Sequence, residues 1–550
     1  MIGVVSKNDE VETVREFFQL FKTPWEPYLP ERTYDVVLVT SGSVPAVLNT
    51  TLLLIYDSKR TTLDDAIAIS IRSAQRTDWL EWNASAFPIY GEVAVLQGDG
   101  VPILQRRAST ESVGLEVNGS APLTARIGYN LFEEVAFLLS QGQPATNAHI
   151  PTLDTHISIL RSLMVSAGVP FVEIPPVPQG YDFMACLSHD VDFTGIREHK
   201  FDMTSWGFLY RATIGTLFDV LRQKSTISKL MQNWKAAFFL PFVYLGLAQD
   251  FWLEFDRYLD IEKGLRATYF FIPFKNSPGT LKTGPAPSQR GAKYDALNCK
   301  DDIRKLLDQG CEVSLHGIDA WRDSQKAKIE SERIRELTGQ ATIGVRMHWL
   351  YFDEYSPMTL DRAGFPYDST FGYNDALGFR AGTTQPFSPS GAEYLLELPM
   401  NIQDTAMFYP SRMNLSESKA LDSCKQVLGI AKAFGGVVTV NWHTRSLSPE
   451  RLWGDFYKAL LREMRCYRVW FGTAQEIVTW FRNRRALCFQ EVQFAEEGLR
   501  LKLTGRSTDE QHPFIVRVYP KGSRSPLDAP REASKPGYSD MLWKGEVGLN

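Results

Sequence analysis

The sequence predicts an α/β protein built on parallel strands, and three observations carry that reading. Strand-like and helix-like segments alternate along most of the chain. Several helical segments end in glycine just before an apolar strand, as in "DQGCEVSL" and "AFGGVVTV", where the glycine suits a helix C′ position. Ionisable side chains gather where those strands end, the place where parallel α/β folds build their sites.

At 550 residues the chain has room for several domains and a large core. It is 44% hydrophobic and 22% charged, a balance that belongs to ordered globular proteins rather than disordered ones. The formal net charge of −5 gives a nucleic-acid partner no electrostatic support. Six cysteines lie scattered without a CxxC pair, so they read as reduced thiols rather than a disulfide frame or a zinc knuckle. The opening "MIGVVSKNDEVETVREFF" has no basic, apolar and small-residue succession of a secretory signal. The longest apolar run, "AAFFLPFVYLGLA", falls well short of the roughly 20 residues that span a bilayer. The expectation is a cytoplasmic protein without a transmembrane segment.

Residues 1–175 read as an N-terminal α/β domain. "YDVVLVTSG" and "TLLLIYDS" have the continuous apolar, β-branched character of buried strands, and "YNLFEEVAFLLSQG" has helical periodicity. No catalytic constellation stands out there. The proline-rich "VEIPPVPQGYD" marks a boundary. Residues 183–483 then carry the candidate strands "FMACLSHDVD", "RATYFFIPF", "CEVSLHG", "IGVRMHWL", "YLLELPM", "GGVVTVNWH" and "RVWFGT", separated by helical segments. Parallel strands with helical crossovers follow, as a barrel or a doubly wound sheet. Residues 196–255 interrupt this pattern with a stretch rich in Trp, Phe, Arg and Lys, read as an inserted helical hairpin. Peripheral membrane contact through 200–248 is the alternative for that stretch. The tail, 486–550, reads as a small β module and a loose end, "SRSPLDAPREASKPGYSD".

Side chains two apart on a strand share a face. In "SHDVD", Asp190 and Asp192 therefore project together while Val191 points away. Two adjacent carboxylates repel unless a cation lies close, so a divalent metal with one aspartate as ligand and the other as base is a simple solution. A turn in which the aspartates cap a helix is the alternative for this stretch alone. Further strand ends weigh for the metal. "VSLHG" ends on His316, "VRMHW" puts Arg346 and His348 two apart, and "TVNWH" ends on His443. Four of the eight histidines, with His189, occupy such positions, which points to one shared site. Asp and His donors suit zinc, with cobalt, nickel, manganese or iron also possible. A metal that lowers the pKa of water, a free carboxylate as base, a histidine as acid and Arg346 to keep the base ionised together describe hydrolysis of an amide or ester.

These residues, in this order, resemble the motifs of the polysaccharide deacetylase family, the NodB-homology domains of carbohydrate esterase family four. "SHDVD" resembles the first motif, "LHGID" the second, "VRMHW" the third and "TVNWH" the fifth. "ELPMNIQDT" falls where the fourth motif's aspartate could lie. The segments "AGFPYDSTFGYNDALGFRAGT" and "HWLYFD" resemble a subgroup with an HDVD signature and an extra N-terminal domain. The resemblance implies a distorted (β/α)7 barrel over about 183–483, with Asp190 as general base, Asp192 and His316 as metal ligands, Arg346 beside the base, His443 as general acid and Asp404 orienting it. One position departs: where many members carry a second metal histidine, four residues after the first, this chain has Ala320. His348 is the best replacement ligand, with His189 and Asp319 as weaker ones. The implied function is metal-dependent deacetylation of an N-acetylated sugar or polysaccharide intermediate. Hydrolysis of non-glycan C–N bonds, or carbohydrate binding without catalysis, are the alternatives.

Overall fold

The computed structural model describes residues 1–46, 48–222, 225–252, 255–495, 498–505, 511–522 and 537–543. It divides into two compact units, Met1–Gly180 with Ala381–Ser390 and Trp480–Asn550, and Tyr181–Arg380 with Gly391–Thr479.

In the first unit, a nine-stranded sheet is parallel on one side and antiparallel on the other. The parallel half contains Ile2–Val5, Tyr34–Val39, Thr50–Tyr56 and Leu123–Ile127. "YDVVLV" and "TLLLIY" form two of these strands because apolar runs suit strands covered on both faces. The expected helix is Leu131–Ser140, begun by Asn130, whose side chain accepts from the backbone N–H of Phe132 and Glu133. Residues 70–117 form antiparallel strands instead of strand–helix units. Their mixed polar and β-branched sequence suits a sheet with one solvated face.

The strands after 486 belong to this unit. Ile515–Tyr519 pairs antiparallel with Phe171–Glu173 and with Ser539–Leu542, while Cys488–Ala495 and Gly498–Thr504 make a hairpin. The Phe171 and Tyr519 rings stack at 4.3 Å. The expected β module is therefore only partly separate: its later strands complete a sheet begun near 171. Most of the segment read as a loose end lies outside the described residues.

The second unit is built on one curled parallel sheet, a half-barrel. Its strands run in the order Leu396–Glu397, Tyr367–Asp368, Val345–Met347, Glu312–Gly317, Ala267–Phe271, Phe183–Val191, Val437–Asn441 and Ile402–Gln403. Val469–Phe471 also pairs with Phe183–Ala185. The two ends of the sheet are joined by one short stretch of chain. Leu398 N–H donates to the Asp368 carbonyl, and Asn401 N–H to the Thr439 carbonyl, as the backbone passes from one edge to the other. Helices such as Lys300–Asp308, Ser324–Thr338 and Glu417–Phe434 lie between the strands. Gly310 and Gly435 sit at φ +77° and +79° after two of them, the left-handed geometry that stops a helix and feeds the next strand.

The 196–255 interruption is helical, with Met203–Tyr210, Thr216–Leu221 and Ile227–Tyr244 around a small core of its own that includes Phe208, Leu240, Val243 and Trp252. Among the described residues, no helix is long and apolar enough to cross a membrane.

Candidate metal centre

Strand alternation places the chemistry. Along Phe183–Val191 and just beyond it, Ser188, Asp190 and Asp192 turn one way and His189 and Val191 the other. Asp190 is buried, and its Oδ1 accepts from Arg346 Nη1 at 3.0 Å while its Oδ2 accepts from Asn441 Nδ2 at 2.7 Å. Arg346 is itself fully buried and held by Ser188 Oγ at 2.8 Å and by the Ser369 carbonyl and hydroxyl, each at 3.0 Å. Burial would raise the Asp190 carboxyl, but the nearby His316, Arg346 and His443 hold it below the ordinary range.

Asp192 occupies the middle of the mouth. Its Oδ1 lies 3.3 Å from His316 Nε2 and 3.5 Å from His348 Nε2, and its Oδ2 lies 3.7 Å from His443 Nε2. Despite burial, the surrounding histidines, His348 foremost, push its carboxyl far down. Potential donor atoms of Asp192, His316 and His348 all fall within 4.8 Å of one another. This group fits a divalent cation by chemistry and by what it leaves unpaired. Asp192 Oδ1, the oxygen that both histidine Nε2 atoms approach, is a buried atom without a hydrogen bond. His316 Nδ1 lies 2.9 Å from the Arg346 carbonyl, which orients the ring so that Nε2 faces Asp192.

Local sequence explains how each histidine arrives. Gly317 follows His316 because a Cβ there would meet Met347 Sδ at 2.7 Å. After His348 the backbone turns sharply, with Trp349 and Leu350 at φ +64° and +55°, a left-handed conformation that bulky residues avoid. That strain sits directly beside a candidate ligand. His348 is held neutral, its pKa pushed down to about 3 by burial against the pull of Asp192. A neutral imidazole is the form that ligates a metal.

His443 is arranged differently. Asp404 Oδ1 lies 2.7 Å from its Nδ1, and Asp404 Oδ2 accepts its backbone N–H at 2.8 Å and the Ser446 hydroxyl at 2.6 Å. Burial lowers its pKa, but Asp404, Asp192 and Asp190 outweigh that and raise it to about 9. His443 is therefore protonated at neutral pH, with Nε2 facing the mouth.

Seven residues named from sequence, Asp190, Asp192, His316, Arg346, His348, Asp404 and His443, come together here. His189 does not join them, so three strand-end histidines converge instead of four. Its Nδ1 contacts the Trp442 carbonyl at 2.7 Å and its Nε2 contacts Glu262 at 2.8 Å, on the other face of the strand. Asp319 is also occupied elsewhere, with Thr280 and Lys326. Ala320 is buried among apolar residues of the large core. Asn441, Ser188, Ser369 and Ser446 were missed. Two-residue spacing could have found Asn441 before His443 and Ser188 before Asp190; Ser369 and Ser446 carry no such local signal.

No family model matches the chain, and none of the curated proteins matches it. Among solved structures, the chain is similar to a putative polysaccharide deacetylase from Mycobacterium smegmatis, at 17% identity over 56% of this chain and 94% of that one, with a TM-score of 0.35. It is similar to PuuE allantoinase at 16% identity over 56% and 93% of the two chains, TM-score 0.35. It is also similar to a probable polysaccharide deacetylase from Pseudomonas aeruginosa at 14% identity over 56% and 95%, TM-score 0.36.

Proposed function

We propose that the chain is a metal-dependent hydrolase that removes acetyl from an N-acetylated sugar or glycan intermediate, on a distorted (β/α)7 barrel. The observation that carries this is the placement of Asp192 between two histidine Nε2 atoms on one oxygen and His443 Nε2 near the other, with a separately anchored carboxylate, Asp190, alongside. Asp192, His316 and His348 would hold a divalent ion, zinc being best suited to one carboxylate and two imidazoles. Such an ion supplies a Lewis acid and makes water acidic enough to react at neutral pH.

The chain's own groups do the rest. Asp190, kept ionised by Arg346 and steered by Asn441, takes the proton of the attacking water on a carboxylate oxygen. Arg346 can do this without moving, since its remaining N–H groups are fixed by Ser188 and Ser369. His443 delivers its Nε2 proton to the departing amine nitrogen, and Asp404 keeps the Nδ1 proton in place so that the ring stays oriented. The sugar substrate follows from the motif resemblance, and the acid–base pair suits cleavage of an acetamide.

The decisive experiment is metal content alongside acetate release from an N-acetylated hexosamine oligosaccharide. Asp190→Asn should keep the metal and lose acetate release by about 10²- to 10⁴-fold, whereas Asp192→Asn should lose the metal itself. Equal metal loss in both variants overturns the division of roles. A chelator-stripped chain that rebinds no zinc, cobalt or nickel overturns the enzyme reading.

A further inference from the structure

The inserted helices leave an apolar face uncovered. Sixteen of the twenty-six exposed large hydrophobic side chains among the described residues lie between Phe201 and Leu247. Helix Ile227–Tyr244 is apolar on two opposite sides. Leu230, Ala236, Leu240 and Val243 are buried on one side, the last three in the core shared with Phe208 and Trp252. Ile227, Met231, Trp234, Phe238, Phe242 and, just past the helix end, Leu245 recur at intervals of three or four residues and so form one stripe on the other. Ile227 is 71% exposed and Phe238 70%. Trp206, Phe218 and Leu221 add exposed apolar surface from the two preceding helices. A soluble surface rarely carries a patch of this extent without an occupant.

Charge identifies the occupant. Residues 200–248 hold six Lys or Arg against two Asp, in a chain whose formal net charge is −5. Lys200, Arg222 and Lys235 are exposed, and Lys235 directly follows Trp234 of the stripe. In a two-fold dimer through this face the same cations would meet their own copies. An anionic lipid surface instead satisfies both features, taking apolar and aromatic side chains at the headgroup boundary and cations at the phosphates. We propose that residues 200–247 lie in the surface of an anionic bilayer and hold the protein there without crossing it.

The patch is fixed to the part of the chain that follows His443. Glu450 N–H donates to Asn233 Oδ1 at 2.7 Å, and the Glu450 carboxylate pairs with Arg211 at 3.2 Å and with Arg445. Arg445 in turn lies 3.8 Å from the centre of the Trp252 ring. Docking would therefore hold the metal centre and the lipid surface in a fixed relation.

The test is co-sedimentation of the purified full chain with vesicles of phosphatidylcholine alone or of phosphatidylcholine with phosphatidylglycerol. The chain should bind the anionic vesicles, more weakly as salt is raised, and bind the neutral ones far less. Trp234→Glu with Phe238→Glu should reduce binding at least tenfold while melting temperature and metal content stay unchanged. Lys200→Gln with Lys235→Gln should weaken partitioning about 25-fold, about fivefold for each cation. Absence of binding to either vesicle overturns the proposal, as does equal binding to both. So does a stable dimer in solution that the Trp234 and Phe238 substitutions split.

Discussion

Arg126 pairs with Asp64 in the first unit at 2.9 Å, and Arg346 pairs with Asp190 in the second at 3.0 Å, with all four side chains out of solvent. Their surroundings differ. Arg126 also donates to the carbonyls of Asp57, Lys59 and Ile127, and Asp64 accepts from the backbone and hydroxyl of Thr61. That network closes on itself and ties two strand ends and a loop together. The Arg346–Asp190 pair is just as well anchored, but it stands beside Asp192, whose buried Oδ1 has no hydrogen bond though two histidine Nε2 atoms face it. What sets the second pair apart is that the unpaired oxygen beside it is faced by two imidazole nitrogens, an arrangement a cation would complete. Buried charge alone does not distinguish a site from a strut; the convergence of Asp192, His316 and His348 beside the second pair does.

The histidines repeat the contrast. His156 in the first unit has the Tyr129 hydroxyl at 3.2 Å and the Phe87 ring beside it, and burial pushes its pKa down to about 3. His443, also buried, is raised to about 9 because Asp404 and two further carboxylates face it. Enclosure by apolar groups keeps one ring neutral; enclosure by carboxylates keeps the other charged and able to give up a proton.

Breaking the first pair should have the largest effect on folding. Arg126→Met leaves Asp64 buried without its cation and should cost about 3–5 kcal/mol in denaturant unfolding. Metal content should not change, and a loss of metal in this variant would remove the distinction drawn between the two pairs. Asn441→Ala should have a smaller and different signature. It removes a hydrogen bond to an ionised carboxylate, worth about 1.5–3 kcal/mol of stability, and with the base less well held acetate release should drop about 10- to 100-fold while metal content holds. Unchanged turnover would take Asn441 out of the base's support.

The smallest effect is a pH dependence at His156. Its folded pKa is depressed below the unfolded value of about 6.5, so the unfolded chain binds the extra proton as pH falls. Stability is intact above about pH 6.5 and is lost towards pH 3, by up to about 1.4 kcal/mol per pH unit. Between pH 6.5 and 5 the natural chain should lose about 1.7 kcal/mol more than His156→Phe, compared by urea midpoints at each pH. Parallel losses in the two proteins would show that His156 is not held neutral.

Much of the site is written locally. The two-residue spacings of Asp190 with Asp192, and of Arg346 with His348, follow from strand geometry and can be read within five residues. So can the glycine stops before Glu312–Gly317 and Val437–Asn441, because a left-handed turn is a local requirement. The same alternation assigns His189 to the far face, yet its position at a strand end drew it into the candidate set. A strand-end histidine has no local mark that says which face its neighbours will make into a mouth.

What the sequence by itself determined is therefore periodicity: where strands and helices run, which side chains share a face, and where chemistry collects at strand ends. Only the tertiary structure decided which of those ends meet. Asp190 and Arg346 are 156 residues apart, Asp190 and Asn441 251 apart, and neither partner's local sequence encodes the other. It also decided that His348 stands against Asp192 where Ala320 offers no ligand, that one stretch after Leu396 joins both edges of the curled sheet, and that Ile515–Tyr519 pairs with a strand near residue 171. The reason is physical: local conformation is set by sterics and hydrogen bonds within a few residues, whereas long-range pairing is set by which apolar faces can be buried together across long loops.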